Sequence, residues 1–290
     1  LVGHGHRAAA VSRPTARPPA QRALAPARPD LAQQLAAFQA ALPSSRGEAH
    51  LPQRGIPLAL AQQLGVGYAA PDTWPHTARD WCGGRVVFPH TTPEGRLVNL
   101  YGRAVGTEEQ VPKGKRHDHL PGAKGYFNAT ALQASTGPLW VCEGAFDALA
   151  LLAAGVPRVM AIYGVQGWRW DWVRDIRKLV FALDADTAGQ QQWQALARQA
   201  ALRGKRVAVL PVAAYGGYKD VNEAWAAGVL AIGDGPGPGL EVPEDWREVW
   251  EERVAIMVAD GTLPCVETAR LAWEGLQHPA AAGGMPYDAV

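Results

Sequence analysis

The feature that most limits how this chain can fold is an alternation of short apolar runs with helical stretches across residues 139–227. Four apolar runs predict strands, at 139–142, 158–162, 179–183 and 206–211. Other stretches predict helices, at 145–154, 188–203 and 220–227, with a tryptophan-rich helical segment near 168–177. Strands alternating with helices of this length indicate βαβ units, so we predict an α/β fold with a mainly parallel sheet.

Acidic residues stand directly after two of these predicted strands. Glu143 and Asp147 follow the first run, and Asp184 and Asp186 follow the third. Because ligands bind beyond the carboxyl ends of strands in open α/β sheets, we expect these carboxylates to share one edge. Their mutual repulsion would be relieved by a hard divalent cation, and oxygen ligands suit Mg²⁺. The alternative is that Asp184 and Asp186 form a strand-end turn that caps the next helix.

Composition excludes several classes of protein. The net charge is only +1, so any nucleic-acid surface must be local. Cys82, Cys142 and Cys265 form no CxxC pair, which argues against a zinc site in this chain and predicts a reducing, cytoplasmic location. We expect Cys142, inside a predicted strand, to be a buried thiol. No apolar run approaches the roughly 18 residues of a membrane span, so no membrane partner is expected.

The chain divides into six predicted segments. They are a disordered Arg/Pro-rich linker (1–30), a small mixed α+β region (31–137), the α/β region (138–232), a Gly/Pro linker (233–243), a helical hairpin (244–277) and a disordered tail (278–290). A transit peptide is the alternative for the first segment, although its prolines would interrupt a helix. Because the sequence begins with Leu1 rather than Met, we expect a fragment.

The region 31–137 is predicted to contain two helices, a hairpin and a basic loop. The helices begin at Leu31 and near 57, and the hairpin strands are 85–89 and 96–103. The loop 104–128 is rich in lysine, arginine and histidine and is followed by Tyr126 and Phe127, a combination that could track a phosphate backbone and stack bases. A solvated surface loop is the alternative. For Trp168, Trp170 and Trp172 we favour packing over base stacking.

Three ordered motifs resemble a known family. Glu143-Gly-x-x-Asp147, Asp184-x-Asp186-x-Ala188-Gly189 and Lys219-Asp220-x-Asn222-Glu223 resemble the Toprim domain of DnaG-type bacterial primases and their phage and plasmid relatives. Upstream, 85–89, 95–98, 102–103 and 124–127 are similar to the N-terminal subdomain of the primase RNA polymerase core. The resemblance covers about 31–228. It implies a Rossmann-like Toprim domain preceded by a small basic α+β subdomain, and the helical appendage would follow.

The resemblance implies roles for individual residues. Glu143, Asp184 and Asp186 would be the catalytic acids, and Asp147 and Asp220 would complete the metal ligands for Mg²⁺ or Mn²⁺. The basic residues that would contact template, primer or nucleotide are Arg85, Arg103, Lys113, Lys115, Arg116 and Lys124. The implied partners are single-stranded DNA, nucleoside triphosphates and a replicative helicase. Two departures from the family pattern are Asn222, where a second Asp is usual, and the lack of the usual zinc-ribbon domain within residues 1–290, so we expect either a chain truncated in the linker that follows that domain or template recognition elsewhere.

The implied activity is primer synthesis, the templated joining of ribonucleotides with metal ions that neutralise charge on the triphosphate. Glu143 could instead act as a proton shuttle, because crowding with other carboxylates raises a carboxyl pKa. Two other functions use the same acids or the same fold. One is a metal-dependent Toprim nuclease, and the other is a non-catalytic module that binds DNA or a helicase.

Overall fold

Two four-stranded sheets, one antiparallel and one parallel, form the frame of the protein. The structure is a computed structural model that describes residues 30–76, 80–107, 109–134, 136–164, 167–185 and 187–232, with the backbone alone for 187–194. The predicted linker up to residue 29, Asp186 and the predicted segments 233–243, 244–277 and 278–290 lie outside the described residues.

The antiparallel sheet comes first in the chain. Its strands pair in the order β1 (Gly67–Ala69), β2 (Arg85–Thr91), β3 (Leu97–Ala104) and β4 (His117–His119). Ahead of it lie α1 (Leu31–Ala40), α2 (Arg46–His50), a 3₁₀ turn (Pro52–Arg54) and α3 (Leu58–Gln63). Asp30 caps α1 by accepting a hydrogen bond from the Ala32 N–H at 3.0 Å. The predicted hairpin is confirmed, since β2 and β3 pair antiparallel with Val87 opposite Gly102.

The parallel sheet carries the predicted α/β pattern, which is confirmed. Its strands are β5 (Leu139–Cys142), β6 (Val159–Ala161), β7 (Lys178–Ala182) and β8 (Arg206–Val209), in the order β6-β5-β7-β8. The helices are α4 (Ala145–Ala153), α5 (Thr187–Leu202) and α6 (Val221–Ala226). The chain leaves β5 towards β6 and leaves β7 towards β8, in opposite directions along the sheet, so the carboxyl ends of β5 and β7 flank a topological switch point.

A short extended segment, Tyr126–Phe127, joins the two sheets. Tyr126 exchanges two backbone hydrogen bonds with Thr91 of β2, at 2.9 and 3.0 Å. Phe127 exchanges two more with Ala161 of β6, at 2.9 and 3.1 Å. The Phe127 ring also packs edge-on against Phe88 with ring centroids 5.5 Å apart. The segment therefore fixes the two walls of the cleft between the sheets relative to each other.

The structure departs from the sequence prediction at its shortest elements. The loop predicted to be irregular, 104–128, contains β4, and the tryptophan-rich stretch holds only the 3₁₀ turn Trp170–Val173. A three-residue strand has no periodicity of its own and exists because β3 supplies its hydrogen-bond partners. The three tryptophans pack against the core under the parallel sheet, as favoured above. Cys142 is fully buried, as predicted.

Along the described stretches, no helix combines the length and the apolar composition needed to cross a bilayer.

Lys205 is a buried cation that holds the turn before β7. Its Nζ donates to the carbonyls of Val173, Arg174 and Ile176 at 2.7 to 2.8 Å. We expect Lys205→Met to lower the free energy of unfolding by about 2–4 kcal/mol, because buried carbonyls lose charge-assisted partners. The control is Lys178→Met at the exposed start of β7, expected within about 0.5 kcal/mol. Urea denaturation measures both, and equal losses would contradict the structural role.

Candidate functional site

A cavity of about 340 Å³ opens between the two sheets at the carboxyl edge of the parallel one. One wall comes from the ends of β5 and β7 and from α4 and α6, and it includes Glu143, Asp147, Asp184 and Asp220. The facing wall comes from β3, β4 and the 3₁₀ turn Pro52–Arg54, and its side chains are basic and aromatic. Four of the five predicted acids therefore line one cavity, and the fifth, Asp186, lies outside the described residues.

Glu143 and Asp184 follow neighbouring strands of the parallel sheet. Cys142, the last residue of β5, pairs with Ala182, the last residue of β7, so Glu143 comes directly after its strand and Asp184 is the second residue after its own, both at the same sheet edge. On the side of β6, the Glu143 carbonyl accepts a hydrogen bond from the Tyr163 N–H at 2.9 Å, which holds the Glu143 backbone in place. Both carboxylates are half-buried and border the cavity. The parallel pairing of β5 and β7 therefore brings both acids to one edge of the sheet.

Asp147 is built into the fold more deeply than its neighbours. Its two carboxylate oxygens accept from the backbone N–H groups of Gly144, at 3.1 Å, and of Asn222, at 3.0 Å. A Cβ added at Gly144 would stand 2.6 Å from the carboxylate, so glycine is required where the strand turns into α4. Burial, together with the charges of Asp220 and Asp184, raises the pKa of Asp147 well above its usual range. Asp147 thus links the first acidic motif to the third.

Asp220 reaches the cavity from the beginning of α6. It caps that helix by accepting from the Glu223 N–H at 2.8 Å. The preceding carbonyl, that of Lys219, accepts from the Ala185 N–H at 2.7 Å, which ties the chain after β7 to the chain before α6. Asp220 of the third acidic motif is thus a helix cap, whereas Asp186, which directly precedes α5, lies outside the described residues, so the helix-cap alternative for the second motif stays a prediction.

Arg54 is a site residue that the sequence reasoning missed. Its guanidinium lies over the Phe146 ring at 5.2 Å and donates to the side-chain oxygen of Asn222 at 3.2 Å. The Asn222 amide donates back to the Arg54 carbonyl at 2.9 Å. Burial lowers the pKa of Arg54, while Asp220 and Asp147 act in the opposite direction. Asn222, the departure from the family pattern, is the neutral partner in this exchange. The only sequence signal for Arg54 was its place before Gly55. In the structure this glycine has a left-handed backbone.

The part of the facing wall that β3 and β4 form consists of aromatic rings and one half-buried arginine, Arg103. Tyr101 of β3 stacks on His119 of β4 with ring centroids 4.7 Å apart, and its hydroxyl lies 2.8 Å from His117 Nδ1. Arg103 contacts His117 and also borders the cavity. Burial, then the charge of Arg103, lowers the pKa of His117 to about 4. Near neutral pH the part of this wall formed by β3 and β4 therefore carries its charge on Arg103.

The structure separates the six predicted nucleic-acid contacts. Arg103 borders the cavity, whereas Lys113, Lys115, Arg116 and Lys124 lie outside its lining on the loop around β4. Arg85 is a correction: it is fully buried, donates to the Gly102 carbonyl at 3.2 Å and lies over the Trp74 ring at 5.9 Å. A nucleic acid cannot reach it there. The strand pattern predicted Arg85 correctly as a strand residue but did not show which face its side chain takes.

The donors around the cavity suit a hard cation. Glu143, Asp184 and Asp220 offer carboxylate oxygens, and burial, followed by the charges of Asp220 and Asp184, raises the pKa of Asp147 beside them. Within the described ranges, no three His, Cys, Asp or Glu side chains form a ready-made metal cluster. This donor set fits an ion such as Mg²⁺, which takes one or two carboxylates and keeps several waters.

His90 gives the protein a pH dependence. Burial lowers the pKa of His90 from 6.5 to about 3, so below pH 6.5 the unfolded chain binds a proton that the folded chain does not. The free energy of unfolding should fall as the pH falls through this window, by about 1.4 kcal/mol per pH unit for one histidine. His90→Gln removes that titration and should reduce the slope by this amount. His50, His117 and His119, whose pKa values are lowered to about 4, keep their own contributions. Urea denaturation at pH 4.5 and 7.0 measures it, and an unchanged slope would contradict the assignment.

Comparisons with known proteins bear on the parallel sheet and its acids. A family model described as Toprim-like matches residues 140–225, which run from β5 through α6. A search of curated proteins finds no match to this chain.

Solved structures match over a longer stretch. The Aquifex aeolicus primase (zinc-binding and RNA polymerase domains) is 18% identical with a TM-score of 0.55, covering 83% of this chain and 64% of its own. The E. coli primase catalytic core is 17% identical with a TM-score of 0.55, covering 90% of this chain and 100% of its own. A DnaG primase catalytic domain bound to ssDNA is 18% identical with a TM-score of 0.50, covering 66% and 71%. This chain has the fold of a DnaG-type primase catalytic core, with a Toprim-like domain at 140–225. It spans just under two thirds of the Aquifex chain.

Proposed function

We propose that this protein is a primase-like nucleotidyltransferase, which joins ribonucleotides into short primers on single-stranded DNA. The observation that carries the proposal is the cavity that places an acidic edge opposite a basic and aromatic wall. Joining nucleotides requires both halves: carboxylates for metal ions and cations for the phosphates. A DnaG catalytic domain with this fold is known bound to ssDNA, which supports the choice of template.

The acidic and the basic residues of the cavity would have different roles. Glu143, Asp184, Asp220 and, outside the described residues, Asp186 would hold Mg²⁺ or Mn²⁺. The bound ion would supply Lewis-acid stabilisation of the triphosphate and lower the pKa of the attacking hydroxyl. Asp147 positions the beginnings of α4 and α6 through its two backbone donors. Arg54 and Arg103 face the acids from the other wall and would bind phosphate oxygens.

The experiment is an incubation of the protein with single-stranded DNA, labelled nucleoside triphosphates and Mg²⁺ or Mn²⁺, with EDTA as the control. We expect labelled oligomers whose formation requires the metal. A shortened template without labelled product would replace the proposal with the metal-dependent nuclease. Neither product, with DNA still bound, would replace it with the non-catalytic binding module.

A further inference from the structure

A chain of hydrogen bonds runs from a backbone carbonyl through two histidines to the cavity. His90 Nδ1 lies 3.0 Å from the Gly125 carbonyl oxygen, and His90 Nε2 lies 3.0 Å from His119 Nδ1. A carbonyl oxygen only accepts, so the His90 proton must sit on Nδ1. In a neutral imidazole the other nitrogen is then an acceptor, so His119 Nδ1 must be the donor to it. The backbone therefore sets the tautomers of both rings in turn.

Both histidines stay neutral near physiological pH. Burial lowers the pKa of His90 to about 3 and that of His119 to about 4, and neighbouring cationic groups such as Lys124 add to the effect. With its single proton on Nδ1, His119 has an unprotonated Nε2. Among the described residues this nitrogen has no hydrogen-bond partner, and His119 borders the cavity. His119 thus brings to the cavity lining an acceptor nitrogen that the hydrogen-bond network keeps unprotonated.

The His119 ring is also held in place. Tyr101 stacks on it at 4.7 Å, and Tyr163 meets it edge-on at 5.5 Å and lies 4.0 Å from the His90 ring. Tyr163 has a left-handed backbone with φ of 54°, a conformation that is unfavourable for a bulky residue. Strained residues of this kind concentrate at functional sites, where surrounding structure holds a side chain in one position.

The charges around the cavity indicate which part of a nucleotide meets this acceptor. A nucleoside triphosphate has a charged end, which belongs with the metal-binding acids and with Arg54 and Arg103, and a neutral sugar. His119 and Tyr101 form the neutral part of the wall. A fixed acceptor there requires a donor on the ligand, and the sugar offers hydroxyl groups.

We propose that His119 Nε2 accepts a hydrogen bond from the 2′-hydroxyl of the incoming nucleotide, and that His119 thereby selects ribonucleotides over deoxyribonucleotides. The inference rests on the proposed function and names the substrate class of the same site. A deoxynucleotide would leave Nε2 covered without a donor, a loss we expect to weaken binding about 30-fold. Sites built around a substrate hydroxyl discriminate in this way against analogues that lack it.

The test is equilibrium binding of ATP, 2′-deoxy-ATP and 3′-deoxy-ATP with Mg²⁺, using the full chain and His119→Phe, which keeps an aromatic ring but lacks the acceptor. We expect the full chain to prefer ATP over 2′-deoxy-ATP about 30-fold and to bind 3′-deoxy-ATP like ATP. In His119→Phe the preference should disappear, through loss of ATP affinity. If His119→Phe keeps the preference for ATP, the inference is overturned. The same holds if the preference depends on the 3′-hydroxyl instead of the 2′-hydroxyl.

A second measurement does not depend on the variant folding. Nitrogen-15 NMR of the histidines should show His119 protonated at Nδ1 near neutral pH, and protonation at Nε2 overturns the inference. Binding requires no primer synthesis, so the two proposals can fail separately. Ribonucleotide preference without polymerisation removes only the proposed activity, whereas polymerisation without preference removes only the role of His119.

Discussion

Asp184→Asn is expected to abolish metal-dependent primer synthesis while leaving the fold intact. Asp184 is half-buried at the end of β7, beside Glu143 at the end of β5, where the substitution removes a charge but little volume. Loss of one carboxylate from a metal clamp removes several kcal/mol of stabilisation of the transferring phosphate, so we expect a decrease in rate of about 10³-fold. Primer synthesis on single-stranded DNA measures the rate.

The matched control is Asp171→Asn, which neutralises an exposed acid on the 3₁₀ turn away from the cavity. Its rate and Mn²⁺ affinity should equal those of the unchanged protein. Asp184→Asn should also weaken Mn²⁺ binding, which isothermal titration calorimetry measures without any turnover. If primer synthesis persisted in Asp184→Asn and in the double variant with Asp186→Asn, the acidic edge would not be the centre of the reaction.

Arg54→Met is expected to change metal binding and activity in opposite directions. The Arg54 guanidinium faces Asp147, Asp220 and Asn222, so its removal makes the cavity more negative. Mn²⁺ should then bind about fivefold more tightly, as expected from roughly 1 kcal/mol of lost repulsion between a cation and the nearby positive charge. Primer synthesis should fall about 100-fold, because a phosphate contact of roughly 3 kcal/mol is lost.

Arg158→Met provides the control for loss of a buried arginine. Arg158 donates to the carbonyls of Ala131, Leu132 and Gly137 and takes no part in the cavity. Both variants should unfold at lower urea concentration, since each leaves buried acceptors without donors. Only Arg54→Met should alter Mn²⁺ affinity. Weaker Mn²⁺ binding in Arg54→Met would show that the arginine organises the metal ligands rather than competing with the metal for their charge.

The acidic edge was predictable because its cause is local. Short apolar runs separated by helical stretches indicate parallel strands, and acids directly after such runs must emerge at one edge. Glu143 and Asp184 border the same cavity in the structure for this reason, since they follow the paired strands β5 and β7. The buried thiol of Cys142 followed from the same pattern.

Residues that face the acids from the other sheet were decided by tertiary packing alone. Arg85 and Arg103 sit on paired strands, yet one is buried under Trp74 and the other borders the cavity. Alternation along a strand shows that two faces exist, but which face meets the core depends on what packs against it.

The pairing of Arg54 with Asn222 joins residues 168 positions apart, and the tautomer of His119 depends on the Gly125 carbonyl through a third residue. Such contacts carry no local periodicity, because they arise only when the burial of apolar surface brings distant segments together. The short pattern of each segment therefore determines the strands, the helices and the acidic edge. The wall opposite that edge forms only when the two sheets pack against each other.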